Sequence, residues 1–154
     1  MTLYYFAYGS NMLTARMCER IPAAEVAGIA RLQNWKLVWD KASKDGSTKA
    51  NLKPDDGSVV WGVVYHVPEE KITHLDKIEG GYQRVSVIVE FTDGESQPVV
   101  TYISEERNVT LVPYDWYKQI VVDGAVEHSL PTEYIQTLAS VEAKPDTHAS
   151  RRSP

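Results

Sequence analysis

Residues 59–67 read VVWGVVYHV, an almost unbroken apolar run rich in β-branched valine. Such a run reads as a strand, and the rest of the chain has to be arranged to cover it. Candidates for that cover lie on both sides. Leu3 to Tyr8 is a dense aromatic run, LYYFAY, closed by Gly9-Ser10-Asn11, and reads as a strand ending in a tight turn. Residues 82–91 alternate, with Val85, Val87, Val89 and Phe91 on one face. Thr92-Asp93-Gly94-Glu95 is a turn signal, and residues 98–103 pair with that strand as a hairpin. Residues 25–31 and 35–40 read as two further strands. The polar stretch 41–57 reads as a loop around a short strand near residues 50–52.

Helical patterns are fewer. Residues 14–20 suit a short helix stopped before Pro22. Pro68 opens another, with Glu69 and Glu70 in its first turn, where carboxylates suit the helix dipole, and Gly80-Gly81 closes it. Residues 114–122 and 131–141 complete the set. The fold class expected is α+β, a strand-rich body curled towards a barrel with flanking helices. One domain is expected over 1–143, with 144–154 as a disordered tail.

The 154 residues are enough to bury a core without staples. Lys and Arg total 16 against 21 Asp and Glu, a formal charge of −5. That balance argues against a nucleic-acid surface, although a cleft can differ from the average surface. The single cysteine, Cys18, cannot form an intrachain disulfide, which fits a reducing compartment. No basic and apolar leader and no run of roughly 18 apolar residues is evident, so the expected location is cytoplasmic, without a membrane partner.

Glu79 is the most informative residue for chemistry. Ile72, Leu75 and Glu79 fall on one face of the helix opened by Pro68. That face also carries the core-directed apolar residues, and Glu79 lies in the last turn, where the backbone partial charge is negative. Burial and dipole both raise the affinity of a carboxylate for a proton, as a general base requires. The alternative is a helix that ends a turn earlier and leaves Glu79 solvated. The second feature is Tyr8-Gly9-Ser10-Asn11, a turn whose successive amides could form an anion-binding nest. The alternative there is an ordinary β-turn. Tyr82 and Tyr117 could offer hydroxyls to a pocket or could simply pack in the core. His66, His74, His128 and His148 show no metal-ligand spacing, so neither a metal nor a cofactor is expected. There is no nucleophile elbow, P-loop or dinucleotide fingerprint.

Taken in order, Tyr5-Phe6-Ala7-Tyr8-Gly9-Ser10-Asn11-Met12, Trp61-Gly62-Val63-Val64, Leu75-Asp76-Lys77-Ile78-Glu79-Gly80 and Leu130-Pro131 with Glu133-Tyr134 resemble the γ-glutamyl cyclotransferase family. The resemblance implies a small mixed β-barrel with flanking helices, with Glu79 as acid/base. It also implies substrate contacts from Tyr8, Gly9, Ser10, Asn11, Met12, Tyr82 and Tyr117. The implied reaction converts an L-γ-glutamyl amide to 5-oxoproline and a free amine. The implied partner is a small γ-glutamyl substrate, in the setting of glutathione metabolism, and the protein would be a monomer or homodimer. Two related readings are a biosynthetic enzyme that removes a γ-glutamyl cap and a γ-glutamylamine cyclotransferase. The latter group's N-terminal motif resembles Tyr-Gly-Thr-Leu-Lys rather than Tyr8-Gly9-Ser10-Asn11-Met12. A reading of another class is a non-catalytic small-molecule binder on the same fold, which would not need a buried base.

Overall fold

The structure is a computed structural model and describes residues 1–147. Among these, the strands are β1 (Thr2–Ala7), β2 (Glu25–Ala42), β3 (Thr48–Pro68), β4 (Gln83–Phe91) and β5 (Ser96–Ile103). They close into a barrel in the order β1-β3-β2-β4-β5. Neighbours are antiparallel except where β1 meets β5 in parallel, at Tyr5 and Val100. The flanking helices are α1 (Thr14–Arg20), α2 (Ile72–Ile78), α3 (Asp115–Glu127) and α4 (Thr132–Ala139). The expected mixed barrel with flanking helices is the observed fold.

The apolar run 59–67 is central because β3 pairs with β1 on one side and β2 on the other. Val60, Val63, Val64, Tyr65 and Val67 are fully buried. Gly62 cannot carry a side chain here. A Cβ on it would lie 2.5 Å from the Ala7 carbonyl oxygen and 2.7 Å from the Phe6 ring.

The sequence reading fails between residues 25 and 58. Two strands and a loop were expected, but β2 and β3 form one long hairpin, paired from Glu25↔His66 to Ala42↔Thr48. The polar Asp55-Asp56-Gly57-Ser58 cluster does not reverse the chain. It lies where the register shifts between Gln33 and Trp35, so it forms a bulge in the ribbon. Asn34 (φ 68°) and Gly57 (φ 87°) take the left-handed conformations there, and the Gly57 amide donates to Asn34 Oδ1 at 3.1 Å. Turn-forming residues therefore serve a bulge, and the reversal itself falls at residues 43–47.

Helix limits shift by smaller steps. Glu69–Lys71 is a 3₁₀ turn before α2, and α3 runs on to Glu127 rather than stopping near Val122. The start of the expected tail is docked. The Lys144 amide donates to the Pro113 carbonyl at 3.0 Å, and its carbonyl accepts from the Asp115 amide at 2.8 Å. Asp146 is buried and accepts from Trp116 Nε1 at 3.0 Å. The indole N–H of the half-buried Trp116 finds its acceptor here, which ties down this segment. The remainder of the expected tail, 148–154, lies outside the described residues.

Candidate active site

β1 delivers the chain into Gly9 and a 3₁₀ turn, Ser10–Met12, at one end of the barrel. Three contacts hold this turn. The Met12 amide donates to the Gly9 carbonyl at 3.1 Å. The Tyr65 hydroxyl lies 2.7 Å and 3.1 Å from the carbonyl oxygens of Asn11 and Met12. Gly124 of α3 lies so close that a Cβ there would come within 2.6 Å of the Leu13 nitrogen.

α2 brings Glu79 to the same place. Ile72 and Leu75 are buried, and Glu79 caps the helix, its amide donating to the Leu75 carbonyl at 2.9 Å. It stands one step past the last helical residue, yet it still points inward, with its side chain 15% exposed. The solvated alternative is therefore not the one observed. Asn11 Nδ2 donates to Glu79 Oε1 at 2.8 Å, and the same nitrogen lies 3.1 Å from the Tyr5 hydroxyl. Arg20 Nη1 lies 3.8 Å from Glu79 Oε1. Burial pushes the Glu79 pKa up; Arg20, the Asn11 hydrogen bond, Arg16 and Lys41 oppose it without cancelling it.

Tyrosines close the rest of the chamber. The Tyr8 hydroxyl donates to the Tyr102 carbonyl, and the Tyr82 hydroxyl donates to the Ala50 carbonyl at 2.6 Å. The Tyr117 hydroxyl accepts the Ala50 amide at 3.1 Å, which leaves its own proton free to donate. Burial pushes the Tyr117 pKa up to about 12 and raises those of Tyr5, Tyr8 and Tyr82 well above the usual phenol value. These hydroxyls are neutral at physiological pH. Together with Gly9, Ser10, Asn11 and Glu79 they line a cavity of about 30 Å³. Ser10, Glu79, Tyr82 and Tyr117 also line an adjoining cleft of about 610 Å³.

The structure thus gathers Glu79, Tyr8, Gly9, Ser10, Asn11, Tyr82 and Tyr117 around one cavity. Met12 does not line it: its side chain is fully buried in the core and its amide is already taken by Gly9. Sequence reasoning missed Tyr5 and Tyr102, which line the chamber, and Arg16, Arg20, Lys41 and Lys49, which line the cleft. Arg16 and Arg20 had a readable signal, since their four-residue spacing places both on one face of the helix that follows the turn. Lys41 and Lys49 had none, because they lie in the stretch read as a loop. Among the described residues, no group of three or more His, Cys, Asp or Glu could hold a metal ion.

Residues 59–138 match the AIG2-like family. The chain is 36% identical to the γ-glutamylcyclotransferase of Bos taurus over 90% of its own length and 78% of that protein. Against the Mus musculus γ-glutamylcyclotransferase it is 33% identical over 92% of its length and 79% of that protein. The chain belongs to the γ-glutamylcyclotransferase family. The solved structure of a γ-glutamyl cyclotransferase superposes with a TM-score of 0.88 and 32% identity, over 96% of this chain and 92% of that one. The enzyme class expected from the sequence agrees with these relatives. No helix among the described residues is long and apolar enough to cross a membrane.

Proposed function

We propose that this γ-glutamylcyclotransferase family member converts an L-γ-glutamyl amide to 5-oxoproline and a free amine, with Glu79 as its acid/base. The observation that carries the reading is the inward Glu79 carboxyl, held by Asn11 and raised in proton affinity by burial, at the wall shared by a narrow chamber and a wide cleft. The cleft of about 610 Å³ has room for the substrate, so the glutamyl half lies there against Glu79 at the mouth of the chamber, and the leaving amine extends along the cleft away from Glu79.

The α-ammonium of the substrate is unreactive until it loses a proton, which Glu79 accepts. The freed nitrogen attacks the γ-carbonyl carbon, forming the ring C–N bond. The amide C–N bond then breaks as Glu79 gives its proton to the departing nitrogen, and the second proton of the ring nitrogen passes by the same carboxylate to the released amine, which departs as an ammonium while the ring keeps one N–H. No protein nucleophile and no water are consumed. Folding the glutamyl chain so that amine and carbonyl meet is itself a large contribution, because well-oriented intramolecular attack has effective molarities of about 10⁵–10⁸ M. The unused Tyr117 proton and the amides of Gly9 to Asn11 are the donors available to the carbonyl oxygen and the α-carboxylate. Asn11 Oδ1 is buried with no donor among the described residues, which leaves an acceptor for a substrate N–H.

The test is 5-oxoproline release from γ-glutamyl dipeptides and γ-glutamyl amines. Stoichiometric 5-oxoproline and amine support the reading. Release of free glutamate in its place would mean that water, and not the α-amine, attacks the carbonyl.

A further inference from the structure

The wide cleft carries a charge pattern that the ring-closing chemistry does not use. Arg16 and Arg20 lie four residues apart on α1, and Lys41 and Lys49 are directly opposed in the β2–β3 register. All four line the cleft. Each is a like-charge pair at a spacing that costs stability, in the helix as in the sheet. Three are removed from water: Arg16 is 8% exposed, Lys41 is 9% exposed and Lys49 is half-buried.

Partners account for only part of this charge. Arg20 lies 3.8 Å from Glu79, and Lys41 donates to the Ala42 carbonyl at 2.8 Å and lies 4.0 Å from the exposed Glu106. Arg16 donates from Nε to Ser10 Oγ at 3.1 Å, and its terminal nitrogens have no carboxylate within ion-pair distance among the described residues. Lys49 Nζ lies 4.5 Å from the Tyr117 ring centre and 5.1 Å from that of Trp116, again with no ion pair among the described residues. The nearby Asp45 carboxylate is engaged by the amide and hydroxyl of Ser47, at 3.1 Å and 2.6 Å. Burial and the neighbouring cations lower the pKa of both Arg16 and Lys49, while Asp45 supports the Lys49 charge. Two buried or half-buried cations with unused donors form a site for anions.

We infer that Arg16 and Lys49 form a subsite for a leaving amine that carries two anionic groups, so the preferred substrate class is a γ-glutamyl conjugate of an acidic amino acid. The inference rests on the proposed reaction only for the identity of the glutamyl half. Each unmatched cation takes one acid group. A neutral or cationic amine would leave the unused donors of Arg16 and Lys49 unmatched.

Two readouts separate this from the reaction itself. The first is binding by calorimetry, and the second is kcat/KM for 5-oxoproline release, each with γ-glutamyl-glutamate, γ-glutamyl-alanine and γ-glutamyl-ethylamide. Affinity should fall in that order, with at least about tenfold between the first and last, the scale of one charge-assisted hydrogen bond. In Lys49→Met the ratio of γ-glutamyl-glutamate to γ-glutamyl-alanine should collapse towards one, because Arg16 still takes a single acid group. Equal binding of the three by the wild type overturns the inference without recourse to any variant. Graded binding without 5-oxoproline keeps the subsite and overturns the reaction. Turnover indifferent to leaving-group charge keeps the reaction and overturns the subsite.

Discussion

Glu79 sits under two opposed influences. Burial favours its protonated form, while Arg20, Arg16, Lys41 and the Asn11 amide favour the carboxylate. Burial prevails, so the folded protein binds this proton more tightly than the unfolded chain does. The sign follows from linkage: stability contributed by this group is present at low pH and is lost as pH rises from the ordinary glutamate value, about 4.3, through the raised folded value. Glu79→Gln should therefore melt no lower than wild type at neutral pH, with its relative advantage shrinking on acidification, as thermal melts from pH 4 to 8 would record. An unchanged difference across that range would contradict the raised pKa. In the proposed reaction the Glu79 carboxylate takes the proton, so the acid limb of kcat/KM should lie above the ordinary glutamate pKa. Asn11 orients Glu79 through a 2.8 Å hydrogen bond. Asn11→Ala should cost about tenfold or more in kcat/KM, on the scale of one lost hydrogen bond to a charged group, and should displace that acid limb upward because a bond to the carboxylate is gone. A normal pH profile in Asn11→Ala would show that the bond does not tune Glu79.

The elements that matter are the turn after β1 and the pieces that clamp it. Gly124 of α3 touches the backbone of Met12 and Leu13, so the helix sets the depth of the turn. Gly124→Val should push them apart, destabilising the fold by about 1–3 kcal/mol as overpacking does and lowering kcat/KM. Denaturant unfolding and kinetics would measure both, and a variant with wild-type stability would show that the contact is slack. The turn, the helix carrying Glu79 and the strand 59–67 were all legible in the sequence, because each rests on local signals: Gly-Ser-Asn, Pro68 with Gly80-Gly81, and unbroken valine. The long hairpin was not. Its bulge uses the same Asp, Gly and Ser residues that make turns, and only the cross-strand partner at Asn34 distinguishes the two.

Across the whole molecule, the net charge of −5 conceals a cleft walled by four buried or half-buried cations. Composition could exclude a broadly basic surface, but not this local inversion, since Lys41 and Lys49 become neighbours only through strand pairing. Asp146, beyond the last helix, also bears on the site. Asp146 holds the Trp116 indole, and Trp116 lines the cleft. Asp146→Ala leaves that N–H unpaired and should cost about 1–3 kcal/mol, with weaker substrate binding as the ring loosens. A melting temperature and KM both equal to wild type would show that Trp116 does not depend on this strap.

The role of Glu79 is tested most directly by 5-oxoproline release from one γ-glutamyl dipeptide, compared between wild type and Glu79→Gln in single-turnover experiments with saturating enzyme. Gln keeps the shape and the link to Asn11 but cannot take a proton. The expected result is substrate binding within a few fold of wild type and a ring-closure rate lower by about 10²–10⁴, the usual contribution of a positioned acid/base. Ring closure at a near wild-type rate in Glu79→Gln would contradict that role and move the proton transfer to another group in the chamber.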